Sequence, residues 1–345
     1  MKQKKNIIYL CNTEKGPSGG AKIIYHHSEI INNLKDYTSQ VIHIKKKNTS
    51  KWKTSFNKKL NIKVKEETGW QLKDINAVKN FKYNWFKNNT YIKEDLIFKK
   101  NKDFVILPEI FAHLADDLLI QNKIKYAIFV QNGYSINFTN NLKKLNLAYH
   151  NAEFILSYSN DITECIKLNF PKLKTEIVKV KYSIDSYSNI KSFKKKNIIT
   201  YMSRKLPIHS NHVVSFLKKH LPKNWSLLDL NNIDEKSVYR NLQKSKIFLA
   251  FSNLEGLPLP PVEAALAGNY VIGYTGEGGK DYWKKPIFTE IYSGDIREFV
   301  KKTIQRINSH KLNNKHRKQQ YIKLVNEFSK KNEINHIKKF LKKIS

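Results

Sequence analysis

Two glutamates separated by seven residues, Glu255 and Glu263, are the side chains of this chain with the clearest chemical potential. Carboxylates accept charge-assisted hydrogen bonds from hydroxyl groups, so the pair could bind a hydroxyl-rich ligand. Two carboxylates could also act as acid and base in the hydrolysis of a glycosidic bond. A third interpretation is structural: one glutamate is a favourable acid near a helix start, and the other is a solvated loop residue.

The residues around the two glutamates predict a strand, a loop, a short helix and a second strand. The apolar runs 248–251 and 270–274 are typical of buried strands. Pro260 and Pro261 fit the first turn of a helix, and Gly268 fits its end. This βαβ order places the first glutamate in a loop at the carboxyl end of a strand and the second on the first turn of the helix.

That position in the predicted fold indicates a ligand. Open α/β sheets bind ligands outside the carboxyl ends of their strands, and helix N-termini favour anions such as phosphate. A nucleotide-sugar has hydroxyl-rich ends and a diphosphate between them, so it satisfies both the carboxylates and the helix end. Hydrolysis of a glycosidic bond by the same carboxylates does not require a helix N-terminus, so this interpretation is disfavoured.

The segment 255–264, Glu-Gly-Leu-Pro-Leu-Pro-Pro-Val-Glu-Ala, resembles the E-x7-E signature of the retaining GT-B glycosyltransferases of family GT4. Further pieces follow in the family's order: a strand at 7–11, a glycine-rich loop at 16–21, a strand at 154–159, and a strand with a basic loop at 198–205. The resemblance implies an α/β chain with the GT-B fold. Two Rossmann-like domains with parallel sheets would face each other across a cleft and close over the donor.

The expected domains follow from this resemblance and from the chain length, since 345 residues allow about two domains with separate cores. We expect an acceptor-side domain at 1–185, a nucleotide-sugar donor domain at 186–325, and a C-terminal helix at 326–345 that packs back on the first domain. The polar run 182–196 marks the boundary. The lysine- and asparagine-rich segment 45–100 matches no motif and is assigned to shaping the acceptor side.

The resemblance also implies roles for charged residues. In the family the first glutamate contacts hydroxyls of the donor sugar and the second contacts the ribose, and Glu255 and Glu263 match them. A basic pair neutralises the diphosphate as the glycosidic bond breaks, and Arg204 and Lys205 are matched to it. The family's lysine position falls near His209, but Lys205 is preferred, so Glu255, Arg204 and Lys205 are the predicted catalytic residues.

Backbone groups complete the predicted donor site. Amides just after the first glutamate hold sugar and phosphate in relatives, which implies Gly256 and Leu257. Pro258 stands where the family often has a glycine, and it removes one N–H donor. The glycine loop of the first domain reaches the phosphates in relatives, which implies Gly19 and Gly20.

Each of these assignments has a plainer alternative. The two loop glycines could only shape a turn between strand and helix, and the basic pair could be ordinary surface. Arginine is rare, however, with five among the 63 lysines and arginines. An arginine in such a loop therefore favours a functional role for Arg204 over ordinary surface. Asn132 and His113 are assigned to the acceptor side. An Asn-Gly turn explains Asn132 nearly as well, and a half-buried helix position explains His113.

The resemblance implies a reaction without metal or cofactor. Relatives retain anomeric configuration, and the departing phosphate itself is thought to take the proton of the acceptor. The neighbouring carboxylates Asp116 and Asp117 lie inside an apolar helical pattern. They are interpreted as a solvated helix face, and no metal site is predicted.

The formal net charge of +34 allows three interpretations. A bias towards the codons of lysine, asparagine and isoleucine explains most of it. A basic chain also suits an anionic membrane surface. Nucleic acid is disfavoured as a partner, because the sequence shows no clustered arginines and no known module. Cys11 and Cys165 lie in apolar runs and are expected to be buried free thiols of a reducing compartment.

The sequence therefore predicts a hexosyl or deoxyhexosyl transferase. It would move a sugar from a nucleotide-sugar to a saccharide or a lipid-linked saccharide in the synthesis of surface polysaccharide or another glycan. No run is long enough for a signal-peptide core or a membrane span, so we expect a cytoplasmic or peripheral protein on the inner face of the membrane. A nucleotide-sugar epimerase of the same fold and an inactive basic binding protein are the alternatives.

Overall fold

The computed structural model describes residues 4–13, 16, 18–46, 75–85, 90–137, 139, 141–184, 194–309 and 314–344. The chain divides into two compact units. Unit 1 comprises Met1–Tyr158, Ile162–Val180 and His336–Ser345, and unit 2 comprises Ser159–Asp161 and Lys181–Asn335. The main crossing from unit 1 to unit 2 thus follows residue 180 and the return precedes residue 336, against the predicted bounds of 185 and 326.

Unit 1 contains one mainly parallel sheet. Its strands are β1 (Lys5–Cys11), β2 (Tyr37–Lys46), β3 (Ile75–Ala77), β4 (Tyr91–Ile92), β5 (Asp103–Pro108), β6 (Lys125–Val130), β7 (Phe154–Ser157) and β8 (Glu176–Lys179). The order is β3-β2-β1-β5-β6-β7-β8, with β4 also paired to β2. The β2–β3 pair is antiparallel. Every residue of the central β5 is buried, as expected for a strand covered on both faces.

Helical segments connect these strands. They are α1 (Gly19–Asn32), a 3-10 helix (Glu109–Leu114), a π-helix (Asp116–Ile120), a second 3-10 helix (Gly133–Ser135), α2 (Leu142–Asn151) and α3 (Asn160–Asn169). Ser18 caps α1, since its side-chain oxygen accepts a hydrogen bond from the amide of Ala21. The sequence therefore starts α1 at the glycine pair, directly after the carboxyl end of β1.

Unit 2 contains a five-stranded parallel sheet. Its strands are β9 (Ile198–Tyr201), β10 (Ser226–Asp229), β11 (Ile247–Glu255), β12 (Tyr270–Glu277) and β13 (Phe288–Glu290). The helices are α4 (Pro207–His220), α5 (Glu235–Lys244), α6 (Leu259–Leu266), a 3-10 helix (Gly278–Asp281), α7 (Ile296–Asn308) and α8 (Asn314–Glu327). Helix α9 (Lys330–Lys343) begins in unit 2 and ends in unit 1. The strand order β10-β9-β11-β12-β13 reverses direction between β9 and β11. Such a reversal is where α/β sheets bind ligands.

The register between β11 and β12 contains one irregularity. Ser252 pairs with Thr275, and the next pair is Glu255 with Glu277, so β11 has one residue more than β12 in this interval. Within it Leu254 adopts a φ of 38°, which is unusual for a branched side chain. This β-bulge sets the last residue of β11, Glu255, in register with β12.

The end of α9 packs on the sheet of unit 1. The ring of Phe340 lies 6.1 Å from those of Phe104 and Phe154, measured between centroids. The hydroxyl of Tyr37 donates to the carbonyl of Leu341 at 3.1 Å. These contacts explain why the last ten residues belong to unit 1.

Two further findings concern the burial of the cysteines and the search for helices that could span a membrane. Cys11 is buried as predicted, whereas Cys165 is partly exposed, so its predicted burial is wrong. Across the described ranges, no helix has the length and apolar character needed to cross a bilayer.

Candidate functional site

The predicted catalytic residues Lys205 and Glu255 meet at the strand reversal in unit 2. Strands β9 and β11 are neighbours and parallel, so the segments that follow them reach the same edge of the sheet. There the ammonium of Lys205 forms an ion pair with Oε2 of Glu255. The Glu255 side chain is 16% exposed and the Lys205 side chain 40% exposed. The structure thus brings a cation and a carboxylate of the predicted site into contact.

Arg204 precedes this lysine and is exposed. Its guanidinium has no ion pair or side-chain hydrogen bond with any other residue that the structure describes. It is therefore a cationic donor at the same sheet edge, with its five N–H groups open to an anion.

His209, the alternative to Lys205 in the sequence prediction, is the third residue of α4. Its Nδ1 and the hydroxyl of Tyr274 lie 3.2 Å apart, within hydrogen-bond distance. Burial raises the pKa of the Tyr274 phenol, so its hydroxyl keeps its proton. His209 is thus tied to the end of β12, and Lys205 is the cation that contacts the carboxylate.

The loop after Glu255 is held rigidly by the segment after β12. The hydroxyl of Tyr282 donates to the carbonyl of Pro258 at 2.7 Å, in a buried position. A Cβ on Gly278 would stand 2.1 Å from the carbonyl oxygen of Gly256. Because only glycine fits there, the predicted donor amides after Glu255 are fixed by close backbone packing.

Glu263 lies in the second turn of α6, so its predicted place on the first turn is wrong. The helix begins at Leu259, and Pro260 and Pro261 take its second and third positions. Their missing N–H groups cost nothing there, because the first amides of a helix have no intrahelical partner. Glu263 is half-buried, one turn from the helix start.

Asp229, the last residue of β10, was not among the predicted site residues. Its Oδ2 accepts a hydrogen bond from the hydroxyl of Ser203 at 2.6 Å, and its Oδ1 accepts from the amide of Asn231 at 3.1 Å. Ser203 directly precedes the predicted basic pair. An aspartate after the apolar pair Leu227 and Leu228 was the available signal, but its partner depends on β10 lying beside β9.

The glycine pair of unit 1 contacts a neighbouring loop. Gly20 accepts a hydrogen bond on its carbonyl from Nε2 of Gln131 at 3.0 Å. A Cβ on Gly20 would stand 2.3 Å from Oε1 of the same side chain. That atom is the far end of a flexible side chain that can move aside, so packing does not by itself require this glycine. A phosphate contact by Gly19 and Gly20 stays a prediction.

A buried carboxylate organises the same edge of the unit 1 sheet. Glu109 is 5% exposed, and its two oxygens accept hydrogen bonds from the amides of Gln131 at 2.9 Å and Asn132 at 3.1 Å. Burial raises the pKa of the Glu109 carboxyl from 4.5 to about 7, against the lowering effect of these amides. Glu109 was not among the predicted site residues, because nothing in the local sequence predicts its burial.

The predicted acceptor-side residues lie beside Glu109. The side chain of Asn132 accepts a hydrogen bond from the amide of Tyr134 at 3.1 Å and so caps a 3-10 helix, as the turn interpretation expects. His113 is 5% exposed, more deeply buried than the half-buried position predicted. An acceptor contact by either residue stays a prediction.

Glu109→Gln should change how stability depends on pH. The raised pKa means that the Glu109 contribution to folding is complete below pH 4.5 and is lost as the pH rises through 7. The loss amounts to about 3 kcal/mol. The free energy of unfolding of Glu109→Gln, minus that of the wild type, should therefore rise by this amount between pH 4.5 and 7.5 in urea titrations.

Glu164→Gln is the matched control, because Glu164 is an exposed helix residue paired with Lys167. Its difference from the wild type should stay flat over the same pH range. A flat difference for Glu109→Gln would mean that the amide hydrogen bonds fully offset the effect of burial on the Glu109 pKa.

The pair Asp116 and Asp117 is not a solvated face. The ammonium of Lys144 lies 2.7 Å from Oδ1 of Asp117 and 3.8 Å from Oδ2 of Asp116. One lysine thus pairs with both half-buried carboxylates and offsets one of their two charges. In the part of the chain that the structure describes, no three His, Cys, Asp or Glu side chains are grouped to hold a metal ion.

Comparison with known proteins gives similarity in structure only. No protein-family model matches the sequence, and no curated protein matches it by sequence. A mutant of S. aureus TarM, in complex with fondaparinux, alpha-GlcNAc-glycerol and UDP, is 13% identical with a TM-score of 0.55. The match covers 72% of this chain and 57% of that one, so this chain spans little over half the length of that relative.

Two further structures match over nearly their whole length. Sucrose-phosphate synthase from Thermosynechococcus elongatus is 9% identical, with 99% of each chain covered and a TM-score of 0.63. The E. coli trehalose-6-phosphate structure bound with UDP-2-fluoro glucose is 11% identical, with 98% of each chain covered and a TM-score of 0.57. These neighbours are GT-B glycosyltransferases, and the chain has the GT-B fold. At such identities the similarity shows the fold alone.

Proposed function

We propose that this chain is a retaining glycosyltransferase similar to family GT4, which moves a sugar from a UDP-sugar to a saccharide or lipid-linked saccharide. The observation that carries the proposal is the contact of Lys205 with Glu255, beside Arg204, at the strand reversal of a GT-B fold. UDP is chosen because two of the similar structures hold UDP or UDP-2-fluoro glucose.

The ion pair explains how the site could accept such a donor. Without ligand, Lys205 and Glu255 neutralise each other. A bound diphosphate would attract Lys205, and the sugar hydroxyls would then replace the lysine as donors to Glu255. The exchange would pair Lys205 with phosphate and leave the Glu255 carboxylate hydrogen-bonded to hydroxyls, which it binds well.

Electrostatic stabilisation would supply the catalysis. Negative charge builds on the phosphate oxygens as the glycosidic bond breaks, and cations fixed beside them stabilise that transition state. Arg204 and Lys205 would provide these cations, and the amides of Gly256 and Leu257 would add fixed dipoles. The departing phosphate would take the acceptor proton, so we propose a reaction that needs no metal ion and no cofactor.

The finer assignments rest on the family resemblance. Glu263 would bind the ribose hydroxyls. Surface polysaccharide or another glycan would be the product, and the net charge of +34 favours work at an anionic membrane surface inside the cell. Hexosyl or deoxyhexosyl is the group that we propose is transferred.

A thermal-shift titration with UDP, GDP and dTDP, without metal, tests nucleotide binding. UDP should raise the melting temperature, because a ligand at 100 times its Kd stabilises the folded state by about 2.7 kcal/mol. Glu263→Ala should lose most of this shift. Glu298→Ala, which removes a partly exposed glutamate of α7, should keep it. No shift with any nucleotide would favour the inactive binding protein.

Product analysis separates transfer from epimerisation. With a UDP-sugar and a saccharide acceptor, we expect a glycoside of unchanged anomeric configuration, seen by NMR, together with free UDP. A new sugar nucleotide formed without acceptor would instead identify an epimerase. An inverted product would contradict the retaining mechanism.

A further inference from the structure

We infer that Asp229 is a positioning residue that clamps the loop bearing Arg204 and Lys205 in the orientation used for the diphosphate. The inference rests on the proposed function, since it assigns the loop its task. Asp229 would touch neither donor nor acceptor. It would act through Ser203, the residue before the basic pair.

The carboxylate of Asp229 has all its acceptor positions filled by two residues. Oδ1 accepts from the amides of Ser203 at 3.4 Å and Asn231 at 3.1 Å. Oδ2 accepts from the Ser203 hydroxyl at 2.6 Å and from Nδ2 of Asn231 at 3.4 Å. An ionised carboxylate offers about four acceptor sites, so only an aspartate satisfies this set.

The same residues close into a ring. Nδ2 of Asn231 also donates to the Ser203 hydroxyl oxygen. One loop follows β9 and the other follows β10, and the two strands are neighbours in the sheet. The ring therefore ties the loop with the cations to a second, independent strand.

The ring adds to two other contacts of this loop, the ion pair of Lys205 with Glu255 and the packing of Leu206 against the core of unit 2. Strand pairing of β9 ends at Tyr201, and α4 begins at Pro207. The two basic side chains between them are exposed. Charge-assisted hydrogen bonds are roughly twice as strong as neutral ones. The hydrogen bonds of Asp229 therefore restrict the conformations of this short exposed loop.

Asp229 does not act as a counter-ion of the basic pair. Within the described ranges, neither Arg204 nor Lys205 lies within ion-pair distance of its carboxylate, and Lys205 pairs with Glu255 instead. The expected effect of losing Asp229 is therefore misplacement of cations that keep their charge. Misplacement by about 1 Å can cost on the order of 100-fold in rate.

Asp229→Asn is the sharpest variant, because it keeps the shape and replaces one acceptor oxygen by an N–H donor. We expect kcat to fall about 10- to 100-fold, with a smaller change in KM, because the cations act mainly on the transition state. Asp234→Asn is the matched control. Asp234 also accepts from a serine amide and hydroxyl, those of Ser237, but it caps α5 and does not reach the basic loop. Its kcat should stay within about twofold of the wild type.

A mutant cycle distinguishes positioning from general damage. In a background that carries both Arg204→Ala and Lys205→Ala, Asp229→Asn should cost less than about threefold, because both cations that it positions are gone. An undiminished effect of Asp229→Asn in that background would overturn the inference, as would wild-type kcat in Asp229→Asn alone.

Hydrogen exchange gives a test that needs no activity. In Asp229→Asn the amides of residues 202–206 should exchange faster than in the wild type, while in Asp234→Asn they should not. If the wild type transfers no sugar and binds no nucleotide, the proposed function fails, and faster exchange still supports the clamp. Unchanged exchange at 202–206 overturns the clamp whatever the activity.

Discussion

Arg204→Ala is expected to lower the rate of sugar transfer by about two to three orders of magnitude. Removal of one group aimed at developing transition-state charge typically costs this much. The exposed guanidinium has no protein partner among the described residues to compensate, so the loss should fall on kcat and kcat/KM with little change in stability. Initial rates of UDP release with a saccharide acceptor measure it.

Arg240→Ala provides the control for this substitution. Arg240 is also exposed in unit 2, on α5, so its loss changes the net charge of the chain equally. It should keep the wild-type rate. If both variants lose activity alike, the effect belongs to overall charge, and if Arg204→Ala stays within about threefold of the wild type, Arg204 does not bear on the transition state.

Gly278→Ala should damage stability and activity together. Its Cβ would stand 2.1 Å from the carbonyl oxygen and 2.4 Å from the carbonyl carbon of Gly256, and 2.5 Å from the carbonyl oxygen of Glu255. These are backbone atoms, so the loop itself must move. We expect a loss of about 1–3 kcal/mol in the free energy of unfolding and a transfer rate lower by on the order of 100-fold.

Gly16→Ala separates steric overlap from the general effect of replacing a glycine. A Cβ at Gly16 would have no heavy atom within 4 Å, so its free energy of unfolding should match the wild type. Denaturant unfolding of the two variants, with initial rates of Gly278→Ala, decides the matter. If Gly278→Ala kept the wild-type stability and rate, the loop after Glu255 would be able to move aside without loss of either.

Local patterns predicted the βαβ unit around the two glutamates well. The apolar runs mark β11 and β12, and the proline pair marks the start of α6. The exact ends were less readable. Strand β12 continues to Glu277, beyond the predicted end at Tyr274, because pairing with β11 continues past the apolar run. Glu263 shifted by a turn because proline is tolerated at several early helix positions.

The contacts that sequence could not predict are those between distant segments. The clamp of Asp229 depends on β10 lying beside β9, a fact of topology that no local pattern carries. Glu109 looks like an ordinary acid after a strand, and its raised pKa arises because distant segments bury it. Lys205 was matched to the site by family resemblance, and its contact with Glu255 required the strand reversal.

The bulge in β11 has a consequence for the identity of the residue that faces this edge. Strand side chains alternate between two faces, so one additional residue exchanges odd and even positions. If the unaltered β11 paired regularly beyond Ser252, without the bulge, Leu254 would stand opposite Glu277 and Glu255 would move to the other face of the strand. A one-residue deletion between Ser252 and Glu255 would instead remove the bulge and still leave Glu255 opposite Glu277. The position of the carboxylate in the unaltered chain therefore depends on the bulge in β11 as well as on the residue type.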